Sequence, residues 1–261
     1  MAAKTVRLAL ISALVGVVAG QNATLCSSAA TKTISSRDEA NKIGAACPTF
    51  TGSISLSDGP LYSDLSFNGV KEITGKLISK DWMTVTADSL ERIGDAFENI
   101  DSYTTSLDFP KLAYVGAGMI FTESDQYRPG LQHVKMPNLK EVNGDLLVTG
   151  NHYFSELQIP NIERINGLFH IEDEHALYNL SLDKLATVGP GGIDFAGTFW
   201  DGISLASIKS VYPKFNIIAM STGNCSEWDA LRQPGGALAN TEDYYCHGGC
   251  KRLYGKECYS T

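Results

Sequence analysis

The sequence predicts a mainly β fold: one elongated β-solenoid of about eight coils, closed at both ends by disulfide-stapled caps with short capping helices. Three observations predict it. An apolar pattern returns about every 23 residues through the middle of the chain. Six cysteines stand only near the two ends, and the long middle has none. A short helical pattern lies beside the cysteines at each end.

The repeat is plainest where "VKMPNLKEVNGDLLV" (134–148) is followed by "LQIPNIERINGLFHI" (157–171). Take the last apolar residue before the glycine as position zero. Phe50, Ile73, Ile93, Val115, Val142, Ile165, Val188 and Val211 then align, with spacings of 23, 20, 22, 27, 23, 23 and 23. Three places earlier stand Cys47, Val70, Leu90, Leu112, Leu139, Ile162, Leu185 and Ile208. Six and eight places earlier, from the second coil on, come pairs such as Leu65/Phe67, Val134/Met136, Leu157/Ile159 and Leu180/Leu182. Four places later stand Ile54, Leu77, Phe97, Met119, Leu146, Phe169 and Phe215, with Gly192 as the one exception.

A single coil cannot bury such side chains alone, whereas stacked coils form a continuous core. Pairs such as Leu146/Val148 have the period of two that marks a strand. Pro110, Pro137 and Pro160 fit strand ends, where no ladder hydrogen bond is needed. Gly52, Gly75, Gly144 and Gly167 fit tight corners with positive φ.

The ends follow a different logic. Lys4 and Arg7 precede an apolar run from Leu8 to Val18, and Val18-Ala19-Gly20 offers small residues for cleavage. Residues 1–20 read as a secretory signal peptide, too short in its apolar run for a membrane span. Residues 21–261 then form one domain: an N-cap over 21–50, coils over 50–220 and a cysteine-rich C-cap over 221–261. Removing Lys4 and Arg7 leaves 19 basic against 29 acidic residues, a net charge of −10. Such a surface excludes nucleic acid and anionic membranes as partners.

An even cysteine count in an exported chain argues for disulfides. Cys26 with Cys47 is the obvious pair, and closing that loop contributes roughly 3 kcal/mol in the chain-entropy picture. Cys225, Cys246, Cys250 and Cys258 allow three pairings. At the front, Ser36 and Glu39 have capping-box spacing and Gly44 offers a stop. At the back, Ser226 and Asp229 suggest similar roles.

The stretch "TISSRDEANKIGAACPTFTGSISL", followed by repeats of the form LxFPxLxxVxGxLxV, resembles the receptor L-domain superfamily. Within it the chain is most similar to fungal secreted and GPI-anchored cell-wall organisation proteins of the sporulation-specific type. The resemblance runs from Cys26 to about Val211. It implies a right-handed β-solenoid, an extracytoplasmic location and a role in wall integrity or surface recognition. It supplies no catalytic residue, metal or cofactor. The Asn ladder of ordinary leucine-rich repeats is not expected. The tail "KRLYGKECYST" lacks the Ser/Thr-rich stretch and hydrophobic GPI signal common in those proteins, so a freely secreted relative is expected.

Several constellations could carry chemistry. Glu123, Asp125, Glu172, Asp173 and Glu174, with His152 and His175 ten places after zero in adjacent repeats, suggest an edge for a metal, a sugar or acid–base hydrolysis. The ordinary reading is a solvated loop edge. "CHGGC" lacks the two-plus-two spacing of a zinc site, so disulfides are expected there. No Gly-x-Ser-x-Gly elbow and no phosphate-binding loop occurs. Tyr103, Tyr127, Tyr153, Phe154, Tyr178, Phe199 and Trp200 recur just beyond the strands. If they line one edge they form a stripe able to stack sugars or anchor a protein, and otherwise they fold back on the core. Asn22, Asn179 and Asn224 begin N-glycosylation sequons, Asn179 in an expected loop.

The expectation is therefore a non-catalytic secreted glycoprotein, extracellular or in the wall, that binds a cell-wall polysaccharide or an extracellular protein. The alternatives are a pectinase-like β-helix enzyme and a diffusible factor that binds a host or partner protein.

Overall fold

A computed structural model of the chain describes residues 24–60, 62–125, 127–174, 177–199, 202–220, 225–254 and 257–259. The region expected to be a signal peptide lies outside them. Among the described residues the fold is a β-solenoid of about eight coils with three parallel faces. The first face stacks ten strands, from Lys32–Ile34 through Met119–Thr122 and Leu168–Glu174 to Asp243–His247. The second stacks eight two-residue strands, from Thr49–Phe50 to Ser210–Val211. The third stacks five, from Asp64–Ser66 to Glu156–Gln158, and two further strands, Asn179–Ser181 and Gly202–Ser204, pair separately above them.

The second face follows the zero positions. Phe50 pairs with Ile73, then Ile93, Val115, Val142, Ile165, Val188 and Val211 in unbroken parallel register. All eight are buried. On the first face the inner column runs Ile54, Leu77, Phe97, Met119, Leu146 and Phe169, then Ile193 and Phe215. Gly192, the exception in the repeat, is therefore displaced by one place. The corner Gly189-Pro190-Gly191-Gly192 carries one extra residue, and Ile193 fills the rung. Phenylalanines knit neighbouring rungs edge to face, with Phe97 5.4 Å from Phe121 and Phe169 4.8 Å from Phe195 between ring centroids. That geometry suits the quadrupoles of the rings.

The corner glycines correct the expectation of positive φ. Gly52 has it, at φ 116°, but Gly75, Gly144 and Gly167 do not. Their requirement is close approach. A Cβ on Gly144 would lie 2.8 Å from the Ala117 carbonyl carbon, and one on Gly167 2.5 Å from that of Gly144. The coils touch backbone to backbone at this corner.

The repeated Pro-Asn has a physical role as well. Asn138 donates to the Pro110 carbonyl and Asn161 to the Pro137 carbonyl, both at 2.6 Å. Each side chain joins its coil to the one below, at two successive levels of the stack. Asn166 donates to Asn143 Oδ1 at 2.9 Å in the same manner.

Helix α1 (Arg37–Ala46) covers the front. Glu39 N–H donates to Ser36 Oγ at 3.2 Å, and Ser35 N–H reaches Glu39 Oε2 at 3.4 Å, so the cap is a variant of the box. Gly44 does not end the helix, which runs on to Ala46. Gly44 is needed because a Cβ there would meet the Asn68 carbonyl oxygen at 1.8 Å. Arg37 Nε donates to the Asp64 carbonyl at 2.9 Å, which ties the cap to the first strand of the third face. Cys26 and Cys47 are bonded beneath it.

At the back, the described part of α2 (Cys225–Ala230) already contains both Ser226 and Asp229, so they do not act as a capping box. Asp229 instead accepts from Tyr244 Oη at 2.7 Å. Burial, foremost, and the Asp229 carboxylate both raise the pKa of that phenol. Cys225 is bonded to Cys246 and Cys250 to Cys258, which selects one of the three pairings left open. Among the described residues, no helix is long and apolar enough to cross a membrane.

Candidate ligand-binding edge

The corner between the first and third faces carries most of the suggested site residues. Its loops connect Ile100 to Ser106, Thr122 to His133 and Thr149 to Glu156 in successive coils. The middle loop is the longest and accounts for the 27-residue spacing.

Hydrogen bonds fix that long loop. Asp101 Oδ1 accepts from Ser124 N–H at 2.9 Å and from Ser124 Oγ at 2.7 Å. Those two donors hold the Asp101 carboxyl below the usual carboxylate range. Glu123 Oε1 accepts from Asp125 N–H at 2.8 Å, and Asp125 Oδ1 from Tyr127 N–H at 2.9 Å. Arg128 donates to the Asp101 carbonyl at 2.7 Å and lies over the Tyr103 ring, 5.0 Å from its centroid. In the next coil Asn151 is buried, donates to the Phe121 carbonyl at 3.0 Å and accepts from Leu131 N–H at 3.0 Å. Glu123 and Asp125 are therefore committed to shaping the loop.

The aromatic residues divide into two groups. Tyr127, Tyr153 and Tyr178 are 88%, 61% and 54% exposed, on three successive coils. Phe154 and Phe199 are fully buried. Neither can offer a ring to a ligand, because both fold inward, Phe199 against Phe195 at 6.0 Å. Tyr103 is half-buried beneath Arg128. His152 is half-buried, with Nδ1 enclosed. His175 and Trp200 lie outside the described residues, as do the side chains of Asp173 and Glu174 and the sequon residues Asn22 and Asn224. Asn179 starts a strand, Asn179–Ser181, rather than lying in a loop.

A groove of about 410 Å³ adjoins this edge at Tyr178. The strand Glu156–Gln158, Pro160 and Ser181 line it. Ser181 Oγ donates to Asp183 at 2.8 Å and Ser204 Oγ donates to the same carboxylate. Those hydroxyls lower the Asp183 pKa, Ser204 foremost.

One further polar cluster lies outside the residues that the sequence pattern singles out. On the outer side of the first face His170 Nε2 lies 3.1 Å from Glu172, and its Nδ1 lies 3.0 Å from the Asp194 carbonyl oxygen. Asp194 is buried, and it accepts from Lys214 Nζ and Asn216 Nδ2, both at 2.7 Å. The signal that could have revealed it is the rung: His170, Asp194 and Asn216 pair in register across three coils. The lysine and the amide occupy both oxygens of the Asp194 carboxylate. At the back, His247, Cys250 and Cys258 lie close enough together to suggest a metal. The two sulfurs are bonded to each other, so no thiolate is present to ligate one.

No known protein family matches the chain, no curated protein is similar to it and no solved structure matches it.

Proposed function

We propose that the protein is a secreted, non-catalytic glycoprotein that recognises a cell-wall polysaccharide, with a role in fungal wall organisation or surface recognition. One observation carries the reading: Tyr127, Tyr153 and Tyr178 stand exposed on successive coils along one corner. The three loops sit on successive stacked coils, so the exposed tyrosines are presented along the same corner of the solenoid. Aromatic rings along one corner, beside hydroxyl and amide groups, suit an extended sugar chain, whose rings present apolar faces and polar rims. Three disulfides accord with an oxidising compartment. The resemblance to receptor L-domain wall proteins points the same way.

The test is depletion from solution by insoluble β-glucan, chitin, mannan and pectin. Selective removal by one of them is expected. If none removes the protein, wall-polysaccharide recognition is wrong, and the exposed tyrosines become candidates for a protein partner.

A further inference from the structure

The third face is interrupted at one level of the stack, and the groove lies at that interruption. Below it, one backbone bond recurs from coil to coil. Phe67 N–H donates to Thr86 O, Ala87 to Asp108, Phe109 to Lys135 and Met136 to Gln158, at 2.8–3.0 Å. Above it, Leu182 N–H donates to Ser204 O at 2.9 Å. At the level between, the corresponding bond would run from Ile159 to Ser181. Among the described residues, the Ile159 N–H has no such partner. Strands Glu156–Gln158 and Asn179–Ser181 accordingly belong to separate sheets.

The same two coils remain paired on the other faces. Arg164 and Ile165 pair with Thr187 and Val188 one coil on, and Leu168–Glu172 pair with Gly192–Ala196. The coils thus part on one side only. On the first face the strands lengthen here, from four residues in Leu146–Thr149 to seven in Leu168–Glu174, with a register irregularity between Glu172 and Glu174. The opening touches the core edge: Leu157 is 6% exposed, whereas Leu65, Val85, Leu107 and Val134 in the same column are 0%.

We infer that this opening is the primary subsite of the proposed polysaccharide recognition, and that it takes a neutral saccharide. The inference rests on the polysaccharide reading and narrows it. Tyr178 offers an aromatic plate at the rim. Gln158 donates one amide hydrogen to Glu156 Oε1 at 2.5 Å and offers its second hydrogen and its carbonyl oxygen, and the Ile159 N–H is a backbone donor with no bonded partner among the described residues. Glu156 is the charged residue of the lining, and Lys135 at 3.3 Å and His133 at 3.6 Å stand against it. A groove whose carboxylate already has a cation gives an acidic sugar no counter-charge. The protein's net charge of −8 disfavours a polyanion further. Neutral glucose, mannose or N-acetylglucosamine chains fit, and galacturonate chains do not.

The test is titration calorimetry of the full protein with four tetrasaccharides: β-1,3-linked glucose, β-1,4-linked N-acetylglucosamine, mannose and galacturonate. At least one neutral tetrasaccharide is expected to bind, and galacturonate is not. Tyr178→Ala is expected to weaken that binding by about tenfold, as truncation of an anchoring aromatic does. Gln158→Ala is expected to weaken it by about threefold, in line with a lost neutral hydrogen bond. Tyr62→Ala, at an exposed tyrosine elsewhere on the surface, serves as the control and is expected to bind unchanged. Thermal unfolding of each variant separates loss of binding from loss of fold. Preference for galacturonate overturns the inference. So does failure of every neutral tetrasaccharide to bind. Neutral binding that survives both Tyr178→Ala and Gln158→Ala overturns the subsite and leaves polysaccharide recognition standing.

Discussion

Gly167→Ala tests the claim that coil-to-coil approach, rather than backbone twist, fixes the corner glycines. A Cβ at residue 167 would lie 2.5 Å from the Gly144 carbonyl carbon, 2.6 Å from Asp145 N and 2.3 Å from Asp145 Oδ1. Ordinary contact begins near 3.4 Å, so the corner must open by roughly 1 Å against strands about 4.8 Å apart. Two of the three obstacles are backbone and cannot rotate aside. The third, the Asp145 carboxylate, accepts from Leu168 N–H at 2.7 Å, and that bond would be lost. Overpacking costs about 1–3 kcal/mol and a hydrogen bond to a charged acceptor about 1.5–3 kcal/mol. Reduced freedom of the unfolded chain offsets about 0.4–1 kcal/mol. The net expectation is destabilisation by about 2–4 kcal/mol, since such terms are not fully additive. Urea unfolding followed by circular dichroism reads it as a fall in midpoint at constant slope. Gly235→Ala is the comparison: it has positive φ and open space around its Cβ, so strain of about 1 kcal/mol is expected there. A Gly167→Ala variant at least as stable as Gly235→Ala would refute the close-approach argument.

Other outcomes follow from the same geometry. Asn161→Ala removes the bond to the Pro137 carbonyl and is expected to cost about 1 kcal/mol in the same urea assay. Tyr153→Ala is expected to reduce retention on the depleting polysaccharide with no change in melting temperature. Phe154→Ala, one residue on but fully buried, is expected to destabilise by about 3–5 kcal/mol. Equal stability of those two variants would contradict the division of the aromatics. Asp101 has its carboxyl pKa lowered by Ser124, so its stabilisation is full above the ordinary value of 3.8 and is lost as pH falls through the lower folded value. Melting temperatures between pH 5 and pH 2 are therefore expected to fall more for the wild type than for Asp101→Asn. Equal slopes would remove Asp101 from the account.

The sequence made the side-chain ladder legible, because burial repeats with each coil and every rung is spelled in apolar residues. The one exception in that ladder, Gly192, has a structural reason: an extra residue in the Gly189–Gly192 corner puts Ile193 on the rung. The opening in the third face was not legible for a deeper reason. Leu157, Ile159, Leu180 and Leu182 keep the repeat and stay in the core on both sides of the break. The pattern encodes which side chains are inside, and says nothing of whether the backbones between them are bonded. The aromatic edge was half legible. Tyrosines 127, 153 and 178, each with a hydroxyl to keep wet, stayed at the surface, while Phe154 and Phe199 turned inward. The His170–Asp194–Asn216 row falls on one rung, but its polar side chains lie on the outer side of the face, where the apolar repeat carries no signal.

The most direct measurement is amide hydrogen exchange at Ile159, with and without the neutral tetrasaccharide that binds best. In the free protein, Ile159 is expected to exchange faster than Met136, its bonded counterpart one coil below. Saturating ligand is expected to slow Ile159 and leave Met136 unchanged. If Ile159 is as protected as Met136 in the free protein, the third face is closed in solution. If saturating ligand leaves Ile159 exchange unaltered, the saccharide does not sit in the opening. Either result would contradict the account.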